Sequence, residues 1–158
     1  MRKLILAAGL MACLSITACS EQAPEPTAEA EAPRKSTGRP AQMYQGQGHV
    51  ESIQSATVAR SESGGVLLNA NATVAGEGYT NPSFLPYIYP ATPPDGIYEV
   101  DVVADAPATP GAAAPTAVEV KGAWDKYTDG RVKGIRFISK TNEVVAMLPA
   151  AGEAPAAE

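Results

Sequence analysis

The sequence predicts an all-β protein, an antiparallel β-sandwich or small barrel of about six or seven strands. Three observations predict this class. Apolar and polar residues alternate in several short segments, most clearly over 66–74 and 97–104. Turn signals rich in glycine, proline and asparagine separate those segments. Outside the apolar N-terminus, no window has the apolar periodicity of an amphipathic helix.

The segment 97–104 shows the strand pattern most clearly. Tyr98 and Val100 share one face of the expected strand, and Glu99 and Asp101 share the other. Similar alternation predicts the remaining strands. Taken in order, the expected strands are 49–60, 66–74, 87–89, 97–104, 116–124, 132–139 and 144–148.

Two longer segments are expected to be loops. The first, 76–86, combines glycines with an Asn-Pro pair, and the second, 106–115, is rich in alanine, proline and glycine. Between them, 87–89 is flanked by Pro86 and Pro90. Proline cannot donate to a strand ladder, so this segment is expected to be an edge strand or no strand. The alternation in 49–60 is imperfect, which predicts a bulge or two separate pieces.

The composition divides the chain into four parts. Residues 1–18 have the features of a signal peptide, and 19–43 form a tether rich in proline, glutamate and alanine. Residues 44–148 carry the strand patterns and form the expected domain. The segment 149–158 is an Ala/Pro/Glu tail. The tether and tail have too few large apolar residues to form a core, so both are expected to be disordered.

The N-terminus begins with two basic residues, continues with an apolar run and ends in small residues. The final four residues, Ile16-Thr17-Ala18-Cys19, resemble the lipobox of bacterial lipoproteins. The resemblance implies cleavage between Ala18 and Cys19 and attachment of a diacylglycerol, with fatty acids such as palmitate, to the Cys19 sulfur. It also implies a protein held to membrane lipid. The alternative is an ordinary secreted protein with a cysteine at this position by chance.

The residue after the lipobox cysteine is Ser20. In enterobacterial lipoproteins an aspartate at this position retains the protein at the inner membrane. The resemblance therefore implies the cell envelope of a Gram-negative bacterium, with a lipid anchor in the outer membrane and the domain facing the periplasm.

Charge and cysteine content exclude several functions. The 158 residues carry a net charge of −5. Loss of Arg2 and Lys3 with the signal peptide leaves 10 basic and 17 acidic residues, a net charge of −7. An acidic chain gains nothing from phosphate contacts, so nucleic acid is excluded as a partner. Cys13 leaves with the signal peptide and Cys19 carries lipid, so the domain has no disulfide, thiol catalyst or thiol metal site.

Three groups of residues raise the question of catalysis or metal binding. His49 is the single histidine, and a serine triad would have to combine it with Ser52, Ser55 or another serine. No glycine-framed serine elbow accompanies it. Glu99 and Asp101, about 7 Å apart along one strand, could bind calcium or serve as acid and base in a glycosidase. Alternating acidic residues are equally typical of a solvent-exposed sheet face.

A third group resembles part of a calcium loop. Asp125, Asp129 and Gly130 fit its first, fifth and sixth positions, but Tyr127 and Arg136 occupy the third and twelfth. The match fails, and a β-turn is expected instead. The sequence therefore predicts neither a metal site nor a cofactor.

Aromatic residues cluster around the central prolines. Tyr79, Phe84, Tyr87 and Tyr89 could form a platform for a peptide or glycan. They could equally close the end of the core. If the domain binds an envelope protein or glycan, these residues are the first candidates for the surface.

Part of the domain resembles small secreted proteins of proteobacteria. The resemblance rests on the segments Gly78-Tyr79-Thr80-Asn81-Pro82, Pro94-Asp95-Gly96-Ile97-Tyr98-Glu99-Val100-Asp101-Val102-Val103-Ala104-Asp105 and Gly134-Ile135-Arg136. It covers about half of the domain and implies a β-domain without assigning catalytic residues. The expected function is therefore non-catalytic, a lipid-anchored domain that binds or scaffolds an envelope component. The alternatives are a small periplasmic hydrolase that uses carboxylates, and a sandwich-type enzyme inhibitor.

Overall fold

The described residues form two β-sheets. A computed structural model describes residues 36–109, 111–126 and 129–149. Its eight strands are β1 (Gln47–His49), β2 (Ser52–Arg60), β3 (Val66–Val74), β4 (Thr80–Pro86), β5 (Ile97–Asp105), β6 (Thr116–Trp124), β7 (Gly134–Ile138) and β8 (Glu143–Met147). These strands confirm the all-β prediction, and within the described ranges they form two sheets and not a closed barrel.

Strand β5 lies at the centre of the larger, five-stranded sheet. One of its edges pairs with β4, and the other pairs with β7 near its start and with β1 near its end. Strand β8 extends this sheet beyond β7. The smaller sheet has the order β2-β3-β6 and is entirely antiparallel.

The core lies between the inner faces of the two sheets. The alternating residues predicted to face inward are buried, including Leu68 and Ala70 on β3 and Tyr98 and Val100 on β5. The ring of Tyr98 packs edge-on against Trp124 of β6, with 5.4 Å between ring centroids. Because the domain has no disulfide among its described residues, this packing supplies most of the stabilisation.

Strand β4 corrects one prediction, since 76–86 was expected to be a loop. The glycine-rich part does turn, but Thr80–Pro86 pairs with β5. Pro82 and Pro86 hid the strand because they break the usual strand composition. Both are tolerated because β4 is an edge strand, where a missing N–H leaves no partner strand unpaired. The register shifts between Thr80 and Ser83, which accommodates the first proline.

The segment 49–60 forms two pieces, as one of its expected alternatives proposed. His49 ends β1 in the larger sheet, and Ser52 begins β2 in the smaller one. The chain therefore changes sheets at Val50 and Glu51. A second difference concerns direction, because β5 and β7 pair in parallel, whereas the sequence favoured an antiparallel arrangement throughout.

Two segments lie at the edge of the larger sheet beyond β4. Ile88 forms an isolated antiparallel bridge with Arg39, so 87–89 contributes one bridge and not a full strand. Arg39 belongs to the segment that was expected to be tether. The folded part of the chain thus begins upstream of residue 44.

The side chain of Asn142 joins the turn between β7 and β8 to the smaller sheet. The Asn142 amide nitrogen donates to the carbonyl of Ile53, and the Asn142 amide oxygen accepts from the Ile53 N–H, both at 2.8 Å. The Ser139 hydroxyl donates to the same amide oxygen at 2.7 Å. Asn142 thereby replaces a strand partner where β2 begins.

Replacing Asn142 with alanine should destabilise the domain. The change leaves the backbone N–H and carbonyl of Ile53 without their partners, which costs about 1–3 kcal/mol of unfolding free energy. Asn71→Ala is the matched control, because Asn71 lies exposed on β3 and donates only to Ser55. Its expected effect is within about 0.5 kcal/mol. Urea denaturation measures both, and equal losses would contradict the bridging role of Asn142.

Candidate functional site

A polar cluster covers the outer face of β5, opposite the core. Glu99 and Asp101 both point to this face, as the alternation predicted, yet they are only 8% and 1% exposed. The interpretation as a solvent-exposed acidic face is therefore wrong. Neighbouring strands and the chain after β4 bury both carboxylates. A buried carboxylate needs partners, and each of these two has its own set.

Asp101 contacts His49, the last residue of β1. Strand β1 pairs with the C-terminal end of β5, where His49 lies opposite Val103. The His49 Nε2 lies 3.1 Å from the Asp101 Oδ1, and the side chains are 35% and 2% exposed. No donor in the described part of the chain forms a well-aligned hydrogen bond to that buried oxygen. The exposed part of the imidazole faces solvent while the carboxylate lies beneath it.

Tyr87 completes the surroundings of Asp101. Burial raises the pKa of Tyr87 to about 12, and the negative charges of Asp101 and Glu99 and a hydrogen bond to Asp101 act in the same direction. The phenol therefore stays protonated over the physiological range. It can donate to the carboxylate that it helps to bury.

Glu99 has a separate set of donors. The Tyr89 hydroxyl donates to Glu99 Oε2 at 2.7 Å and accepts from the Glu99 backbone N–H at 2.9 Å. The Ser36 hydroxyl donates to the same carboxylate oxygen. Arg136 Nε lies 3.9 Å from Oε1, and Arg136 Nη1 donates to Glu143 at 2.8 Å. Burial raises the pKa of Tyr89, and the hydrogen bond to Glu99 raises it further.

The predicted aromatic platform divides between the two faces of the larger sheet. Phe84 packs edge-on against Phe137, at 5.5 Å between centroids, and Tyr89 packs against Tyr98 at 5.0 Å. Tyr79 also packs against the core. Tyr87 lies on the outer side, beside the carboxylates. All four are half-buried, so most of their ring surface is used within the domain.

Neither serine proposed for a triad contacts His49. Ser55 accepts a hydrogen bond from Asn71 at 3.1 Å, and Ser52 accepts one from Gln54 at 3.0 Å, both on the smaller sheet. The structure thus brings together the histidine and aspartate of a triad but supplies no serine contact to the histidine among the residues described.

The remaining predicted sites fall in two groups. Ala18 and Cys19 lie outside the described residues.

Asp129, a candidate calcium ligand, contacts Arg131. The Arg131 Nε donates to both Asp129 carboxylate oxygens, at 2.9 and 3.0 Å, and the guanidinium holds the pKa of that carboxyl below its usual range. Over the described ranges, no three His, Cys, Asp or Glu side chains are arranged to bind a metal ion.

Two members of the polar cluster were missed by the sequence analysis. Ser36 was assigned to the tether, and Arg136 was considered only as a failed calcium ligand. The one sequence signal was the acidic pair itself on a strongly apolar strand. Whether the outer face of a central strand is exposed or covered depends on which other parts of the chain pack on it. Those parts are distant in the sequence, so the covering of β5 could not be predicted from β5 itself.

No family model matches this chain, and neither the curated proteins nor the solved structures include one with significant similarity to it. The described part of the chain contains no helix with the length and hydropathy of a membrane span.

The raised pKa of Tyr87 predicts a loss of stability in alkali. The unfolded chain releases this proton near pH 10 and the folded chain near pH 12, so unfolding is favoured as the pH rises between these values. Denaturation measured at several values between pH 9 and 12 should show the unfolding free energy falling as the pH rises from about 10 to about 12. In Tyr87→Phe, part of the fall should disappear.

Tyr44→Phe is the control for this titration, because the Tyr44 ring is 77% exposed. It should leave the alkaline fall unchanged. An equal fall in Tyr87→Phe and the unaltered protein would contradict the burial of the Tyr87 hydroxyl against Asp101.

Proposed function

We propose that this protein is a lipid-anchored envelope protein whose β-sandwich binds or scaffolds another envelope component. The observation that carries the anchor is the tetrapeptide Ile16-Thr17-Ala18-Cys19 at the end of a basic and apolar leader. Lipid on Cys19 supplies membrane attachment, since two or more acyl chains give stable anchoring while one chain gives reversible binding. The resemblance to bacterial lipoproteins extends this proposal to the outer membrane, facing the periplasm, since serine and not aspartate follows the cysteine at Ser20.

The contacts of the polar cluster favour binding over catalysis. A hydrolytic carboxylate needs access to a substrate or a water molecule. Glu99 accepts from Tyr89 and Ser36, and Asp101 lies beneath His49 with its side chain 2% exposed. Both carboxylates therefore act within the fold, where they fix the position of the chain segments above them.

The surface of the domain favours a protein or glycan partner over nucleic acid. The chain has more acidic than basic residues both before and after removal of residues 1–18. Repulsion from phosphate follows from that balance. A scaffolding role also agrees with the part of the proposed tether that precedes Ser36, because a flexible segment of about 16 residues has a typical span of roughly 20–24 Å. A domain on such a tether can reach partners away from the bilayer surface.

Lipid attachment at Cys19 predicts incorporation of labelled palmitate. Cells that express the unaltered protein should incorporate the label into it, and the protein should sediment with membranes. Cys19→Ala should abolish labelling, because the acylated sulfur is absent. Cys13→Ala is the matched control, since this residue lies within the segment removed, and it should retain the label.

Two results would contradict the anchor. One is an unlabelled wild-type protein in cells whose other lipoproteins incorporate label. The other is membrane attachment of Cys19→Ala that equals that of the wild type. Labelling is measured on the immunoprecipitated protein, so the outcome does not depend on the identity of the partner.

A further inference from the structure

The segment Ser36–Arg39, called here the strap, lies against the chain beyond β4. The Arg39 N–H donates to the Ile88 carbonyl, and the Ile88 N–H donates to the Arg39 carbonyl, each at 2.9 Å. This reciprocal pairing is that of two adjacent antiparallel strands. The strap thus occupies the edge of 87–89 as a one-bridge strand.

The strap lies on a surface formed by Ile88, Tyr89 and Glu99, called here the seat. Two contacts make this seat specific for the strap. The Ser36 hydroxyl donates to the buried Glu99 carboxylate. Gly38 packs on the Tyr89 ring so closely that a Cβ there would lie 2.5 Å from Cζ of the ring. The seat therefore accepts a backbone that bends at Thr37 and Gly38, with a hydroxyl at its first position and no side chain at its third.

The segment 40–43 joins the strap to the rest of the domain. Among the described residues, 40–43 form no hydrogen bond with another described residue. The next contact is at Tyr44, whose N–H donates to the Gln47 side chain at 3.3 Å. No hydrogen bond of 40–43 to another described residue therefore has to break for the strap to leave its seat.

An empty seat would be unfavourable. Departure of the strap removes the Ser36 donor from the Glu99 carboxylate, which is only 8% exposed. It also breaks two hydrogen bonds of Ile88, a residue that is 52% exposed and can bind water instead. Unsatisfied buried polar groups cost free energy, so the seat favours refilling by a segment of the same chemistry. The segment whose fit the structure demonstrates is residues 36–39 of this sequence.

We propose that the seat also accepts the strap of a second copy of this chain, so that neighbouring copies link through exchanged straps. Exchange of an identical element preserves every contact of the strap and is a low-cost route to dimers. The scaffolded partner of the proposed function is then another copy of the protein. Strap exchange between copies rests on the proposed anchor, because anchored copies share a membrane surface and meet at raised effective concentration.

Charge complementarity supports exchange between copies. Arg39 in the strap and Arg34 and Lys35 just before it are three of the 10 basic residues that remain after removal of residues 1–18, against 17 acidic ones. The seat contains the carboxylate of Glu99, and Glu143 lies nearby on Arg136. The basic segment thus approaches a seat in which two carboxylates face the single guanidinium of Arg136, whereas the acidic chains otherwise repel one another.

The test uses two variants, Arg39→Cys and Ile88→Cys, each purified as the complete mature chain after processing in the cell. Each variant carries one engineered cysteine. Neither chain can form an engineered disulfide within itself. Cα atoms of such a reciprocal pair lie about 5.5 Å apart, within the range of roughly 4.4–6.8 Å for a disulfide. When the two chains are mixed at rising concentration and oxidised, we expect a disulfide-linked heterodimer on a non-reducing gel.

Three controls make the readout specific. The wild-type chain gives the background of dimer that forms without an engineered cysteine. Tyr44→Cys mixed with Ile88→Cys tests collision, because Tyr44 is exposed and lies outside the strap. A synthetic peptide of residues 34–42 should suppress the heterodimer, whereas the same peptide with Gly38→Ala should not, because its methyl group would meet the Tyr89 ring.

The proposal is overturned if the Arg39→Cys and Ile88→Cys mixture forms no more dimer than the Tyr44→Cys mixture. It is also overturned if both peptides suppress the dimer equally. The readout is independent of palmitate labelling, so failure of strap exchange and failure of the lipid anchor are distinguishable.

Discussion

The burial of two carboxylates on β5 constrains the whole domain. Strand β5 pairs along both edges, and Glu99 and Asp101 lie on its outer face with little exposure. Charges removed from water need donors or opposite charges close by. The chain after β4, the end of β1 and the middle of β7 provide them. The partners of these two side chains thus come from parts of the sequence on both sides of β5, and they tie those parts to one strand.

The same constraint gives the strap a structural role. Ser36 is separated from Glu99 by 63 positions in the sequence, yet its hydroxyl contacts the carboxylate. Tyr89 links the two faces of the sheet, since its hydroxyl contacts Glu99 while its ring packs on Tyr98 in the core. A movement of the strap would therefore change contacts both in the polar cluster and in the core. The segment that leads toward the proposed anchor is part of the fold and not merely a connection.

The inner face of each sheet could be predicted from the sequence, because alternation is local information. Leu68 and Ala70 on β3 and Tyr98 and Val100 on β5 follow a period of two and are buried. Strand β4 could not be predicted in this way, since its two prolines are acceptable only at an edge and edges are decided by the complete sheet. The burial of Glu99 and Asp101 was hidden for a similar reason. An alternating acidic strand has the same local pattern whether its outer face meets water or is covered.

Site prediction failed where distant residues decide the chemistry. The aromatic residues around Tyr87 and Tyr89 were singled out as a possible binding surface, but the sequence did not show that their hydroxyl groups contact the acidic residues of β5. His49 and Asp101 were considered separately, and their contact depends on the pairing of β1 with β5. Composition and leader pattern, in contrast, bear on location without any knowledge of the fold. The proposed anchor and the polar cluster therefore rest on independent observations.

Hydrogen exchange tests the central claim most directly, that the strap and the chain after β4 form a structured cover over the carboxylates of β5. The N–H groups of Arg39, Ile88 and Glu99 donate to Ile88, Arg39 and Tyr89, respectively. The account predicts that all three exchange much more slowly than the N–H of Ser63, which lies in the exposed turn between β2 and β3. Exchange of Arg39 and Ile88 as fast as that of Ser63, in a protein whose β5 amides are protected, would contradict it.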